Sequence, residues 1–441
     1  VKAAAAILLA VPMLVWPALL NGYPILFSDT GAFLAQTVQP LMIWDKPWIY
    51  GPMLQALHWG TTLWLPLLAQ GVVVSHLLWL VQRALRGQAG PGAHLLVCAT
   101  LCCLTALPWA TALLMPDILA PVVALSLVLL GPGRASLRRR EAAYLGVLAS
   151  LAIAAHLSHL PLAAALLLAT VLLVRRPWPV ARVAAPLAVA VLLLLGTNWV
   201  GHGRPTLSPY GATFLLARML EDGTASRTVA ARCPESGWYL CAWAGRLSGD
   251  SDDFLWGQNS PVNRDAADGA IFLGAARLAP EAGQIVTETL RREPLGVAWA
   301  ALRNFGRQLV LARVGDTLGR ENLDTAVRPR IAQGFGPAEL ARFDASAQSR
   351  GLLRVRAAPF TWPFGTVLLL SAAGLVAMAW RLRGSARDFA LFLLVAVAAN
   401  ALATGPLSKP HHRYQARIAW LMPLGAMLLA LPRREAILPR A

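Results

Sequence analysis

The stretch NGYPILFSDTGAFLAQ, residues 21–36, holds one acid, Asp29, and no base. It follows an apolar run that begins at Ala3. A carboxylate just outside a membrane can take the proton of a hydroxyl that comes within hydrogen-bond reach. Partial desolvation at the interface would raise its proton affinity. The structural alternative is a helix cap, with Ser28 or Asp29 opening a helix over SDTGAF. A second group of candidates lies in GPLSKPHHRYQARIAW, which carries Lys409, His411, His412, Arg413, Tyr414 and Arg417 and no acid. Arginine there suits bidentate contact with a phosphate, and general attraction to lipid head groups is the competing reading.

Three further features have chemistry within reach. Asp117 in LLMPDILAP is either a second carboxylate or the N-cap of a helix after Pro116. His156 and His159 in AAHLSHLPLA stand three apart, on one helical face. They can hold a metal or a phosphate, or be ordinary interface histidines. Cys233 and Cys241 close the short segment CPESGWYLC, whereas Cys98, Cys102 and Cys103 sit inside an apolar run and read as small core residues. SGDSDDFLWG, with Asp252 and Asp253, reads as a solvated acidic loop rather than a metal site. The sequence contains no phosphate-binding G-x-x-x-x-G-K-[ST] loop, no H-E-x-x-H and no G-x-S-x-G.

The elements that must position these groups follow from composition. Of 441 residues 57% are hydrophobic and only 14% charged, against about 25% charged in soluble domains. The chain therefore reads as an α-helical polytopic membrane protein. Ten apolar runs are candidate spans: 3–21, 61–82, 92–110, 117–131, 142–157, 161–175, 183–201, 362–380, 388–404 and 416–432. The first is longer than the apolar region of a typical signal peptide and reads as a retained helix. Arginines fall in alternate links: Arg83 and Arg86, Arg134 and Arg138 to Arg140, Arg175, Arg176 and Arg182, Arg381, Arg383 and Arg387, and Arg433, Arg434 and Arg440. The positive-inside rule makes that side cytoplasmic, with both termini on it, in a bacterial cytoplasmic membrane. It also requires a turn at 157–160. The net charge of +17 is then a property of short loops. No basic stretch is interleaved with aromatics in a soluble domain, so nucleic acid is excluded.

This topology gives an N-terminal membrane region, 1–201, whose first outer loop is 22–60. An extracytoplasmic domain, 202–361, follows, and then a C-terminal membrane region, 362–441. The loop 22–60 mixes apolar and aromatic residues with few charges, which suits short helices in the interface plane. The segment 202–361 has no long apolar run and reads as one mostly helical domain, with GATFLLARMLEDG as a helix ending at Gly223. An oxidising exterior makes a Cys233–Cys241 disulfide the expectation, and the segment has too few His and Cys neighbours for zinc. His202 precedes this domain. The short loop 405–415 is basic although it lies outside, so something must offset that cost, and a lipid phosphate would.

The order of features resembles the GT-C superfamily of integral membrane glycosyltransferases. The first helix is followed by an early acid, here Asp29 in FSDTGAF. A basic, Pro and aromatic element comes next, here Lys46, Pro47, Trp48 and Tyr50 in DKPWIYGPMLQAL. An Arg-Tyr pair precedes the last span, here Arg413 and Tyr414 in HHRYQARIAW. The resemblance covers the membrane portion, not the outer domain. It implies transfer of a sugar from a polyprenyl-phosphate donor to an acceptor at the outer face, in which the acceptor stays open between lipid, glycan and protein. Asp29 would be the general base, or would help to bind a divalent cation such as Mg or Mn. Lys46, Arg413 and Arg417 would hold phosphate, with Tyr50 and Tyr414 shaping the pocket and Lys409, His412, His156 and His159 near it. Many members have two adjacent acids where this chain has Asp29 alone, which leaves the cofactor open and makes Asp117 the candidate for the second. Two other classes compete: a transporter or flippase of lipid-linked saccharide, which would want midplane charges and internal repeats, and a non-catalytic envelope assembly protein.

Overall fold

The computed structural model describes residues 1–430. The expected cytoplasmic arginines 433, 434 and 440, and the end of the 416–432 run, lie outside the described residues.

The chain is helical, and the extended pairings among the described residues are single bridges, Ile25 with Leu113 and Arg264 with Ala270. The first helix, α1 (Lys2–Asn21), stops because Gly22 takes a φ of 78° and returns its N–H to the Leu19 carbonyl at 3.1 Å. The segment 22–60 folds into two short helices, α2 (Ser28–Val38) and α3 (Tyr50–His58). Then follow α4 (Trp64–Arg86), α5 (Pro91–Leu104), α6 (Leu107–Ala112), α7 (Leu119–Leu130), α8 (Arg139–Ala154), α9 (His159–Val174) and α10 (Pro177–His202). The next segment forms α11 (Gly211–Glu221), α12 (Thr224–Arg232), α13 (Ser251–Trp256), α14 (Gly274–Arg292), α15 (Pro294–Val310), α16 (Arg328–Gly334), α17 (Pro337–Ala345) and α18 (Leu353–Ala357). Last come α19 (Phe364–Arg381), α20 (Ser385–Thr404), α21 (His412–Ala419) and α22 (Leu421–Ala430).

Five of these, α1, α4, α10, α19 and α20, are long and apolar enough to cross a membrane. The apolar segments Pro91–Leu104, Pro116–Leu130 and His159–Val174 have at most 16 residues. At 1.5 Å per residue they reach about 24 Å or less, short of the ~30 Å hydrocarbon core. The run 92–110 breaks into α5 and α6 because Thr105 is extended and its hydroxyl accepts from the Leu107 N–H at 3.2 Å. The run 416–432 divides at Trp420, which separates α21 from α22. The proposed division of 142–175 is present, as α8 and α9 with a turn over 155–158.

Four arginine-bearing links meet at one end of the molecule. Arg83 donates to Glu141 at 2.9 Å and to the Ser136 carbonyl at 2.9 Å, which joins the α4 and α8 termini. Ser385 lines a cavity there with Val81 and Pro132, and Gly131 lies against Val183 and Thr170. The segment 202–361 is not one unit around one core. Residues from Leu216 to Val286 form a core of their own. Leu318, Leu323, Val327, Ile331, Phe335, Phe343 and Leu353 instead join the core of the apolar helices. Buried polar groups secure that second part. Tyr23 donates to Glu339 at 2.7 Å, as does the Leu63 N–H at 2.8 Å, and Gln348 exchanges hydrogen bonds with the Leu26 backbone at 2.7 and 3.1 Å.

Cys233 and Cys241 are bonded, with Cα atoms 5.3 Å apart. Cys98 and Cys102 are buried as expected, but Cys103 is exposed. The acidic SGDSDDFLWG stretch is not a free loop. It forms α13, capped by Asp250, whose side chain accepts from the N–H groups of Asp252 and Asp253.

Candidate functional site

The Ile25–Leu113 bridge is parallel, and each partner is followed four residues later by an acid, Asp29 and Asp117. The two chains therefore leave the bridge side by side and deliver two carboxylates together. Five hydrogen bonds fix this register. The Ile25 N–H donates to the Ala112 carbonyl and the Leu114 N–H to the Ile25 carbonyl, both at 3.0 Å. Thr30 donates to the Leu114 carbonyl at 3.0 Å. Gln70, from α4, donates to the carbonyls of Thr111 and Leu113 at 2.7 and 2.9 Å.

Neither acid is a helix cap. Phe27 occupies the cap position of α2, and its N–H is satisfied by the Thr30 hydroxyl at 3.0 Å. Asp29 is the second residue of α2, in its first turn, where a negative charge interacts favourably with the helix dipole. Two close approaches hold α2 in place. A Cβ on Gly31 would overlap the Ala326 carbonyl, and one on Gly51 of α3 would overlap the Phe33 carbonyl. Only glycine lets these backbones meet.

Helix α21 brings the cations. Arg413 and Arg417 lie one turn apart on one face, where like charges would repel. Asp117 lies between them, 3.7 Å from Arg413 and 3.5 Å from Arg417. Arg413 also approaches Asp29 at 3.8 Å, and Lys46 approaches Asp29 from the other side at 3.2 Å before pairing with Asp45. The result is a row of alternating charge: Asp45, Lys46, Asp29, Arg413, Asp117, Arg417. Arg417 is 1% exposed and each of its nitrogens has an acceptor, Asn400 at 2.9 Å, Ser158 at 3.0 Å and Asp117 at 3.5 Å. Arg413 stacks on Phe27 at 4.5 Å and on Tyr414 at 4.9 Å, and its Nη1 has no acceptor.

The electrostatics differ from the sequence expectation for Asp29. Burial alone would raise its pKa, but Lys46 and Arg413 outweigh burial and hold the carboxyl below its usual range. Burial works against the charge of Lys46, yet Asp29 and Asp45 hold it above the usual lysine range. Arg413 likewise stays charged against burial, through Tyr414, Asp117 and Asp29.

The histidines extend the row. His156 Nδ1 accepts from the Ser158 N–H at 3.2 Å and faces the Ser158 hydroxyl at 2.8 Å, so it reaches Arg417 through Ser158. His159 is buried, its Nδ1 donates to the Ala152 carbonyl at 2.7 Å, and its ring lies 5.3 Å from His156. Tyr50 is buried, its hydroxyl 3.5 Å from Gln70. Two candidates lie apart from the row. Lys409 pairs with Asp250 and, at 3.0 Å, Asp252, so it ties the last loop to α13 rather than facing a phosphate. His412 Nδ1 accepts the Arg313 N–H at 3.1 Å. His202 packs edge-on against Tyr210. Lys46 is also not free for phosphate, being 12% exposed between two acids.

A small cavity of about 30 Å³, partly open, lies between α6, the 313–317 segment and α21. Asp117, Arg413, Arg417, Asp316 and Trp109 line it. Sequence reasoning missed Ser158, Asn400, Gln70 and Trp109. Asn400 alone carried a signal, as a polar residue inside the apolar run 388–404. A divalent cation does not fit the acids as they stand. The oxygens of Asp29 and Asp117 face cations, and no cluster of three His, Cys, Asp or Glu suited to a metal occurs among the described residues.

Fold and site together describe a helical protein, five of whose helices can cross a membrane, with a row of alternating charge that runs from the half-buried Asp29 to the buried Asp117 and Arg417. Comparison with family models, curated proteins and solved structures returns no match to this chain.

Proposed function

We propose that this chain is a membrane glycosyltransferase of GT-C type. It moves a sugar from a polyprenyl-phosphate donor to an acceptor hydroxyl at the outer face of a bacterial cytoplasmic membrane. The observation that carries the reading is the meeting of Asp29 and Asp117 across Arg413, from three loops far apart in sequence. In this reading the acceptor oxygen forms a bond to the anomeric carbon while the bond from that carbon to the phosphate oxygen breaks. The hydroxyl proton passes to Asp29, and the phosphate leaves with the electron pair beside Arg413. Asp29 starts ionised because Lys46 and Arg413 keep it so. A phosphate on Arg413 would neutralise that cation, and the proton affinity of Asp29 would rise with donor bound. Every guanidinium nitrogen of Arg417 already has an acceptor, and the residue acts by holding Asp117 and the α21 terminus.

The test is Asp29→Asn assayed with a panel of polyprenyl-phosphate sugars. General-base catalysis contributes about 10²–10⁴-fold, so transfer should fall at least ~100-fold in a variant that still folds. Transfer within about threefold of the parent would remove Asp29 from the mechanism.

A further inference from the structure

Two buried N–H donors in the wall of the 313–317 cavity have no acceptor: Arg413 Nη1 and Trp109 Nε1. Unpaired buried donors are rare, and two on one cavity call for an acceptor from outside. Trp109 is 4% exposed and packs edge-on against Trp16, centroids 5.2 Å apart, which accounts for its ring but supplies no oxygen to its N–H. The walls of the cavity differ in character. Ala106, Ala110 and Leu113 make one side apolar, while the 313–317 side carries Arg313 and Asp316. Asp316 accepts the Arg413 backbone N–H at 3.1 Å. Arg313 is exposed and has no carboxylate partner among the described residues.

We propose that Trp109 is a ligand-binding residue: its indole N–H and Arg413 Nη1 donate to oxygens of one phosphate whose alkyl chain runs along the apolar α6 wall. Arg313 adds a screened attraction at the mouth. A phosphate offers each donor an oxygen of its own and carries the negative charge that the Arg413 guanidinium favours, and a neutral hydroxyl offers one uncharged oxygen to both. The ligand is thus an alkyl phosphate, and Trp109 discriminates the phosphorylated lipid from the free alcohol. This rests on the glycosyltransferase reading for the donor's identity, but the binding itself needs no sugar.

The experiment measures binding to the purified full chain in detergent, with no transfer assay. The probes are a short-chain polyprenyl phosphate, the matching polyprenol and inorganic phosphate. Trp109→Phe keeps the ring against Trp16 and deletes the N–H. It should weaken polyprenyl-phosphate binding about tenfold or more while polyprenol binding stays the same. Arg313→Gln, on the surface, should weaken the phosphate form at low salt and much less at high salt. Unchanged phosphate affinity in Trp109→Phe overturns the proposal. So does a parent that binds polyprenol as tightly as the phosphate. Inorganic phosphate bound as tightly as the lipid, and equally sensitive to Trp109→Phe, would overturn the lipid assignment. Loss of transfer in Asp29→Asn is independent of all these arms, so the two readings fail separately.

Discussion

Asp29 is a third exposed, and it is held ionised by neighbours rather than by water. Its folded pKa lies below the unfolded value near 3.9. The sign follows from linkage: its ion pairs contribute stability that is fully present above about pH 4 and is lost as pH falls through the folded value. The melting-temperature difference between parent and Asp29→Asn should therefore be constant from about pH 8 to pH 5 and shrink below about pH 4. A difference that instead grows as the pH falls would mean that burial, not Lys46 and Arg413, governs this acid. Lys46 shows the same point from the opposite side. Its position near the acid was legible, but its partner was not, because the pairing depends on α2 and the 41–49 loop meeting in space.

At the scale of elements, α2 is the part that aims Asp29, and its placement depends on a residue with no side chain. Gly31→Ala would favour helix by about 1 kcal/mol on propensity alone. The added Cβ would meet the Ala326 carbonyl, which is backbone and cannot swing aside. The overlap should win and destabilise the protein by about 1–3 kcal/mol. Gly146→Ala in α8, where a Cβ meets nothing within 4 Å, is the control and should be neutral or stabilising. Denaturation midpoints of the two variants give the comparison, and equal behaviour would show that α2 is not seated against 323–327 as described.

For the whole molecule, the arginine-bearing links at one end and the charge row at the other describe a polarity that labelling can read. In a chain with Cys98, Cys102 and Cys103 replaced, an impermeant thiol reagent applied outside intact cells should modify a cysteine placed at Asp268. It should leave one placed at Arg138 untouched until the membrane is opened. Both positions are exposed, so access depends on the side of the membrane alone. Labelling of Arg138→Cys from outside would invert the topology and move Asp29 away from an outer-face reaction.

Local chemistry determined much on its own: apolar runs long enough to be helices, arginines in alternate links, the helical first loop and the bonded pair of cysteines. Each of these is a property of a contiguous segment, since helix formation, partitioning and loop charge act over about 20 residues or fewer. Tertiary structure decided what no segment contains. The row Lys46–Asp29–Arg413–Asp117–Arg417 draws on residues from three regions, and it exists because a parallel bridge sets two acids level and α21 crosses them. The same cause divided 202–361 between two cores, as the apolar side chains from Leu318 to Leu353 found a better surface on the membrane helices than on α11 and α14. It also separated Arg417 from Arg413. The two are alike in sequence, but Asn400 and Ser158 take up the N–H groups of Arg417, while Nη1 of Arg413 is left facing no acceptor. Hydrogen-bond capacity is consumed by neighbours in space, and a sequence lists donors without saying which are already spent.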